Sequence, residues 1–240
     1  MTTQDYRDSH KGRGQDYHAI FTDSPQTAAL WQMERAALNQ AVRRYFPVQA
    51  PSHLDFACGT GRVLAHLQPL VASSTGVDIS DSMLEVARQS SPDSEIIVGD
   101  LTREDLLPGR TFDLITAFRF FPNAQPELRS QVMEKLSDML TPRGIIIFNN
   151  HLNADSLYQA LLVRTGRDPG HAMPMNEVDE LVDSSGLRIL EEHGFLLMPV
   201  PFTYFDRAPS AFGGMERTIA RTNIATRRNQ DVMVIASKAA

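Results

Sequence analysis

Cysteine is nearly absent from this chain: among 240 residues, Cys58 is the only one. One thiol excludes an intramolecular disulfide framework and suits a reducing compartment, so a cytoplasmic location is expected. Long apolar runs are absent too. No stretch approaches the roughly 20 residues that span a bilayer, so no membrane partner is expected. Basic residues are fewer than acidic ones, 23 Lys and Arg against 29 Asp and Glu, for a net charge of −6. That deficit argues against a protein that tracks nucleic-acid phosphates over a broad face. The opening stretch, MTTQDYRDSHKGRGQDYH, has no apolar core of the kind a secretory signal needs. There is no tight cluster of His, Cys and carboxylates, so no catalytic metal is expected. What the chain does have is core material: 42% of its residues are hydrophobic, enough for one large α/β domain with additions.

The order of patterns is more informative than the totals. Ser24 and Pro25 read as an N-cap and a first-turn proline. Leu30, Met33, Ala37, Ala41 and Tyr45 then recur at helical spacing, which predicts a helix over about 25–46. Short apolar runs at 53–58, 74–79, 95–99, 112–118 and 144–149 alternate with amphipathic stretches at 61–70, 81–90 and 126–140. Such alternation is the signature of a parallel sheet covered by helices on both faces. Further helices are expected near 154–165 and 176–185, and strands at about 187–197 and 231–237. No clear crossover helix joins those last two strands, so an antiparallel pair is expected there. The predicted fold is therefore α/β and Rossmann-like, a mostly parallel seven-stranded sheet with a reversed last strand. Residues 1–46 are expected to form an N-terminal lid and helix and 47–240 the main domain, with 152–175 and 198–230 as substrate caps.

The stretch HLDFACGTGRVL, residues 53–64, carries the chemistry. A strand runs into Gly59 and Gly61 and then into a helix. In a doubly wound sheet this turn lies at the carboxyl ends of the strands, where ligands bind. Glycine there serves a positive φ or a close approach of backbone to ligand, and the helix N-terminus adds unpaired N–H groups. About 20 positions after Gly59, the strand STGVD ends in Asp78, which is placed to accept hydrogen bonds from ribose hydroxyls. A dinucleotide is disfavoured, because bulky Leu64 stands where that fingerprint wants a third small residue. A nucleoside cofactor without phosphates fits better.

The ordered motifs DFACGTGR, GVDISDSML, VGDL and FDLITAF resemble those of class I S-adenosylmethionine-dependent methyltransferases over about residues 50–150. One departure is Ala57, where that family has its first glycine. The resemblance implies S-adenosylmethionine as cofactor and a role for each matching residue. Asp55 and the backbone at Ala57 and Gly59 would hold the methionine part, with Gly61 a further cofactor-binding residue. Asp78 would take the ribose hydroxyls, with Ile79 and Met83 against the adenine. Asp100 would receive the adenine amino group, beside Leu101, and Phe118 would lie near the methyl. Tyr17 is a candidate for the cofactor's carboxylate. For Asp100 a bland alternative, capping the next helix, stays open.

The acceptor is expected to be a small molecule. A hydroxyl acceptor needs a base, and His151, ending the fifth strand, is best placed for that work; His18 and His171 are the other candidates. Arg119, Phe121, Phe202 and Tyr204 are candidate substrate contacts, Arg119 for a carboxylate or phosphate. The motif with which several nucleic-acid and glutamine methyltransferases hold a planar amide, Asn/Asp-Pro-Pro-aromatic, is missing after strand four. A helix is expected over Met215–Ala225. Arg217, Arg221, Arg227 and Arg228 form a local basic cluster, read either as a solvated face or as an anion contact. The expected reaction is O-methylation in a biosynthetic pathway for a secondary metabolite, sugar or quinone-like compound. C- or N-methylation, or a catalytically silent cofactor-binding subunit, are the alternatives, and a homodimer is among the expected partners.

Overall fold

The computed structural model describes residues 25–167, 172–198, 209–222 and 225–239. Its elements run α1 (Pro25–Tyr45), β1 (Ser52–Phe56), α2 (Arg62–Leu67), β2 (Ser73–Asp78), α3 (Asp81–Ser90), β3 (Glu95–Val98), β4 (Phe112–Ala117), α4 (Pro126–Asp138) and β5 (Leu140–Asn150). They continue with α5 (Leu157–Arg164), α6 (Met175–Ser184), β6 (Leu187–Phe195), α7 (Pro209–Thr222) and β7 (Asp231–Lys238). The seven strands form one sheet in the order β3-β2-β1-β4-β5-β7-β6. β1 is parallel to β2 and β4, and β4 to β5, whereas β7 lies antiparallel between β5 and β6. The expected reversed last strand is present, inserted beside β5, so β6 forms the edge.

Strand alternation sorts the core into two layers. Leu54, Phe56, Ile115, Ala117, Ile146 and Phe148 face one side, against α4 and α6. Leu114, Ile145, Ile147, Met233 and Ile235 face the other, where Leu30, Met33, Leu38 and Val42 of α1 cover them with Val63 and Leu67 of α2. The helical spacing predicted for α1 is thus the stripe that faces the sheet. At roughly 1.5–3 kcal/mol for each large side chain buried, this stripe makes α1 a layer of the fold.

Element ends differ from expectation where proline intervenes. The helix expected over 61–70 stops at Leu67 and tightens into a 3₁₀ turn over Gln68–Leu70, since Pro69 has no N–H to extend the α-helical ladder. The helix expected to reach 140 ends at Asp138. The next strand begins at Leu140 rather than 144, with Leu140 paired to Phe112. α7 begins at Pro209 and ends at Thr222, against the 215–225 expected.

Candidate cofactor site

Strand order reverses between β2-β1 and β1-β4, so the crevice of the fold opens at the carboxyl ends of β1 and β4. The loop leaving β1 has an unusual backbone. Ala57, Gly59 and Gly61 have φ of 52°, 55° and 76°, and Arg119, two residues beyond β4, has 62°. For the non-glycine residues this conformation costs roughly 1–2 kcal/mol each, and such strain gathers at functional sites. Asp78 ties the loop down: its Oδ2 accepts from the Gly59 N–H at 2.9 Å and its Oδ1 from the Ser80 N–H at 2.9 Å. The two glycines have different reasons. A Cβ on Gly59 would find ordinary contact with Met83 Sδ at 3.7 Å, so only its φ demands glycine. A Cβ on Gly61 would meet Ala87 Cα and Cβ at 3.0 Å. The missing side chain of Gly61 lets α2 approach α3.

Beside this loop lies a cleft that opens to solvent. Its polar margin is Asp78, Asp100 and Thr102. Its walls include Ile79, Leu101 and Phe120, with Leu128 and Val132 from α4. Apolar faces around an acidic margin suit a flat heterocycle carrying hydroxyl and amino donors. Ala57, Asp78, Ile79, Asp100 and Leu101 of the expected cofactor residues line it; Gly59 and Met83 stand against each other beside it. Asp100 caps no helix, since turns alone join β3 to β4. Its Oδ1 accepts from the Thr102 N–H at 3.0 Å and from the Thr102 hydroxyl at 2.6 Å, closing a turn.

On the opposite sheet face, under α1 and α2, the carboxyl ends carry buried polar side chains. Asp55 is 2% exposed; Oδ1 accepts from the Thr116 hydroxyl at 2.6 Å, and Oδ2 is buried with no hydrogen-bond partner. Burial first, and then the nearby Asp78 carboxylate, raise the Asp55 pKa to about 7 against the opposing pull of Thr116, Arg62 and the Leu64 backbone N–H. Further along, the Arg119 guanidinium lies 3.6 Å from Glu34 and 3.5 Å from Asp231, two fully buried carboxylates, and Asn149 donates to Asp231. The substrate role expected of Arg119 is corrected by that geometry, since its charge faces the protein's own acids. Burial drives the Asp231 pKa up to about 7, against the pull of Arg119. Phe118 packs into the layer under α1 rather than into the cavity. Phe121 is fully buried between Phe120 and Phe148 and is core, not a substrate wall. His151 follows β5, its Nδ1 buried without a partner and its Nε2 3.4 Å from Asn123 Nδ2. Burial and Arg119 push its pKa well below the ordinary histidine value.

Comparison with known proteins bears on this crevice. Residues 54–144 match the family model described as a methyltransferase domain. That span runs from β1 through the start of β5 and includes the loop, Asp78 and the cavity walls. Over this span the chain is similar to methyltransferase domains. Among relatives, a dTDP-3-amino-3,6-dideoxy-alpha-D-glucopyranose N,N-dimethyltransferase of Streptomyces fradiae is 33% identical over 141 residues, 58% of this chain and 48% of that protein. A dTDP-4-amino-2,3,4,6-tetradeoxy-D-glucose N,N-dimethyltransferase of Saccharopolyspora spinosa is 34% identical over 120 residues, 49% of this chain and 47% of that protein. The chain thus spans about half the length of these curated relatives. The magnesium protoporphyrin IX methyltransferase of Synechocystis PCC 6803, solved with bound SAH, superposes with a TM-score of 0.67 at 15% identity. It covers 97% of this chain and 98% of that one, and shows the shared fold.

The described members of the basic cluster, Arg217, Arg227 and Arg228, contact the protein itself. Arg227 grips Asp179 at 2.7 Å and Glu192 at 2.6 Å, tying α6 to β6; Arg228 donates to the Asp155 carbonyl and Arg217 to Gln32. Tyr17, His18, His171, Phe202, Tyr204 and Arg221 lie outside the residues or side chains described. Among the described residues no helix is long and apolar enough to cross a membrane, and no group of three or more His, Cys, Asp or Glu could hold a metal.

Proposed function

We propose that this chain uses S-adenosylmethionine to methylate the nitrogen of a small amine, with amino-sugar nucleotides as the acceptor class. The observation that carries the cofactor reading is the convergence of the left-handed loop, Asp78 and the apolar walls on one cavity. The unpartnered, buried Oδ2 of Asp55 fits the cofactor's cationic α-ammonium, since a buried acceptor left unmade is costly. A carboxylate offers about four acceptor sites, so Asp78 can hold the loop amides and still take ribose hydroxyls. Ile79, Leu101 and Phe120 would enclose the adenine and exclude water. When bound, S-adenosylmethionine supplies an electrophilic methyl group on a sulfonium.

Nitrogen replaces the oxygen expected from the sequence because the relatives named above are, by their names, N,N-dimethyltransferases of dTDP-linked amino sugars. An unprotonated amine attacks with its own lone pair and needs orientation more than proton abstraction. Incubation with S-adenosylmethionine and either a dTDP-amino sugar or its hydroxyl counterpart tests this by mass spectrometry. The expected product is the amine bearing one or two added methyl groups, with the hydroxyl compound unchanged. Methylation of the hydroxyl compound alone would overturn the nitrogen assignment.

A further inference from the structure

Four buried polar side chains form a line across three strands on the α1–α2 face of the sheet. Ser74 of β2, His53 of β1, Thr116 of β4 and Asp55 of β1 are all under 9% exposed. Their contacts run Ser74 Oγ to His53 Nδ1 at 3.3 Å, His53 Nε2 to Thr116 Oγ1 at 2.8 Å, and Thr116 Oγ1 to Asp55 Oδ1 at 2.6 Å. With Asp55 ionised, donor counting sets the directions. The single Thr116 hydroxyl proton goes to the carboxylate, so Thr116 must accept from His53 Nε2–H. Burial holds the His53 pKa down at about 3, so the ring is neutral and carries one N–H. Its Nδ1 is then an acceptor, and Ser74 donates to it. All three protons point toward Asp55, the arrangement in which successive hydrogen bonds polarise one another.

The consequence concerns the other carboxylate oxygen. With Oδ1 pinned, the carboxyl plane is held and Oδ2, buried and without a partner, is presented in a fixed direction beside the β1 loop. We propose that Thr116 and His53 are positioning residues that aim Asp55 Oδ2 at the amino-acid end of the cofactor. This inference rests on the cofactor reading above. It adds that affinity for the tail is set from within the sheet, by a relay that touches no ligand.

The test compares two ligands by titration calorimetry: S-adenosylhomocysteine, which has the amino-acid tail, and methylthioadenosine, which shares the nucleoside and thioether but lacks it. In Thr116→Val the relay is cut next to Asp55. The expected result is an affinity for S-adenosylhomocysteine lowered about tenfold or more, with methylthioadenosine binding within about twofold of wild type. Thr116→Ser, which keeps the hydroxyl, should restore most of the loss. Equal weakening of both ligands, or no rescue by serine, would overturn the relay and leave the cofactor reading intact. Failure of the wild-type protein to bind either ligand would instead remove the cofactor reading, and the relay with it. Because each variant is compared with itself on two ligands, a general loss of stability cannot imitate the expected pattern.

Discussion

At the scale of single residues, Gly59 and Gly61 look alike in sequence and separate on geometry. Alanine at Gly59 meets only the left-handed backbone cost of about 1–2 kcal/mol. Alanine at Gly61 adds a 3.0 Å encounter with the backbone and Cβ of Ala87, an overpacking cost of roughly 1–3 kcal/mol more. Thermal denaturation should therefore rank Gly61→Ala as the less stable variant, and the reverse order would contradict the packing role. Asp55 shows how a buried carboxylate taxes the fold. Its folded pKa of about 7 exceeds the unfolded value near 3.9. The native state holds that proton more tightly, so this site's contribution to stability is fully present below about pH 4 and lost as pH rises through 7. Asp55→Asn has no such proton. Denaturant melts at about pH 5 and pH 8 should show the variant gaining on wild type as pH rises; a constant difference would refute the shift. The sequence held a clue to this group. His53 and Asp55 sit on one face of a strand otherwise built from Leu54 and Phe56, and two polar residues there require partners. Naming those partners as Thr116 and Ser74 needed the register.

Elements explain which aromatic faces the site. Counting alternation onward from β4 does not identify Phe120 as the cavity wall, because Arg119 adopts φ 62° and resets the phase of the chain. Phe121 turns into the core instead, against Phe148. Both Phe→Ala changes should cost about 3–5 kcal/mol of stability. Only Phe120→Ala should also weaken binding of an adenosine ligand, measured by calorimetry at a temperature where both variants are folded. Loss of affinity in Phe121→Ala alone would reverse the assignment. The same limit applies to Leu128 and Val132. Their helical spacing marks a buried stripe on α4, and nothing local says that part of the stripe walls a cavity rather than core. Arg119 itself reads from sequence as an exposed cation; its acidic partners come from α1 and β7, remote in sequence.

At the scale of the whole molecule, the sheet was legible because each strand is a short apolar run and each helix an amphipathic one. The reversal of β7 followed from the missing crossover. Its insertion between β5 and β6 did not follow, since strand order depends on pairing across the fold. That insertion brings Asp231 beside Asn149 and gives the crevice its buried acidic corner, which the sequence reading omitted. The central claim is that the loop after β1 and the carboxylate closing β2 grip an adenosyl group. Calorimetric titration of the wild type and Asp78→Ala with S-adenosylhomocysteine tests it most directly. The account predicts saturable one-site binding by the wild type and a loss of about tenfold or more in the variant, the worth of a hydrogen bond to a charged group. No heat of binding in the folded wild type, or equal affinity in the two proteins, would contradict it.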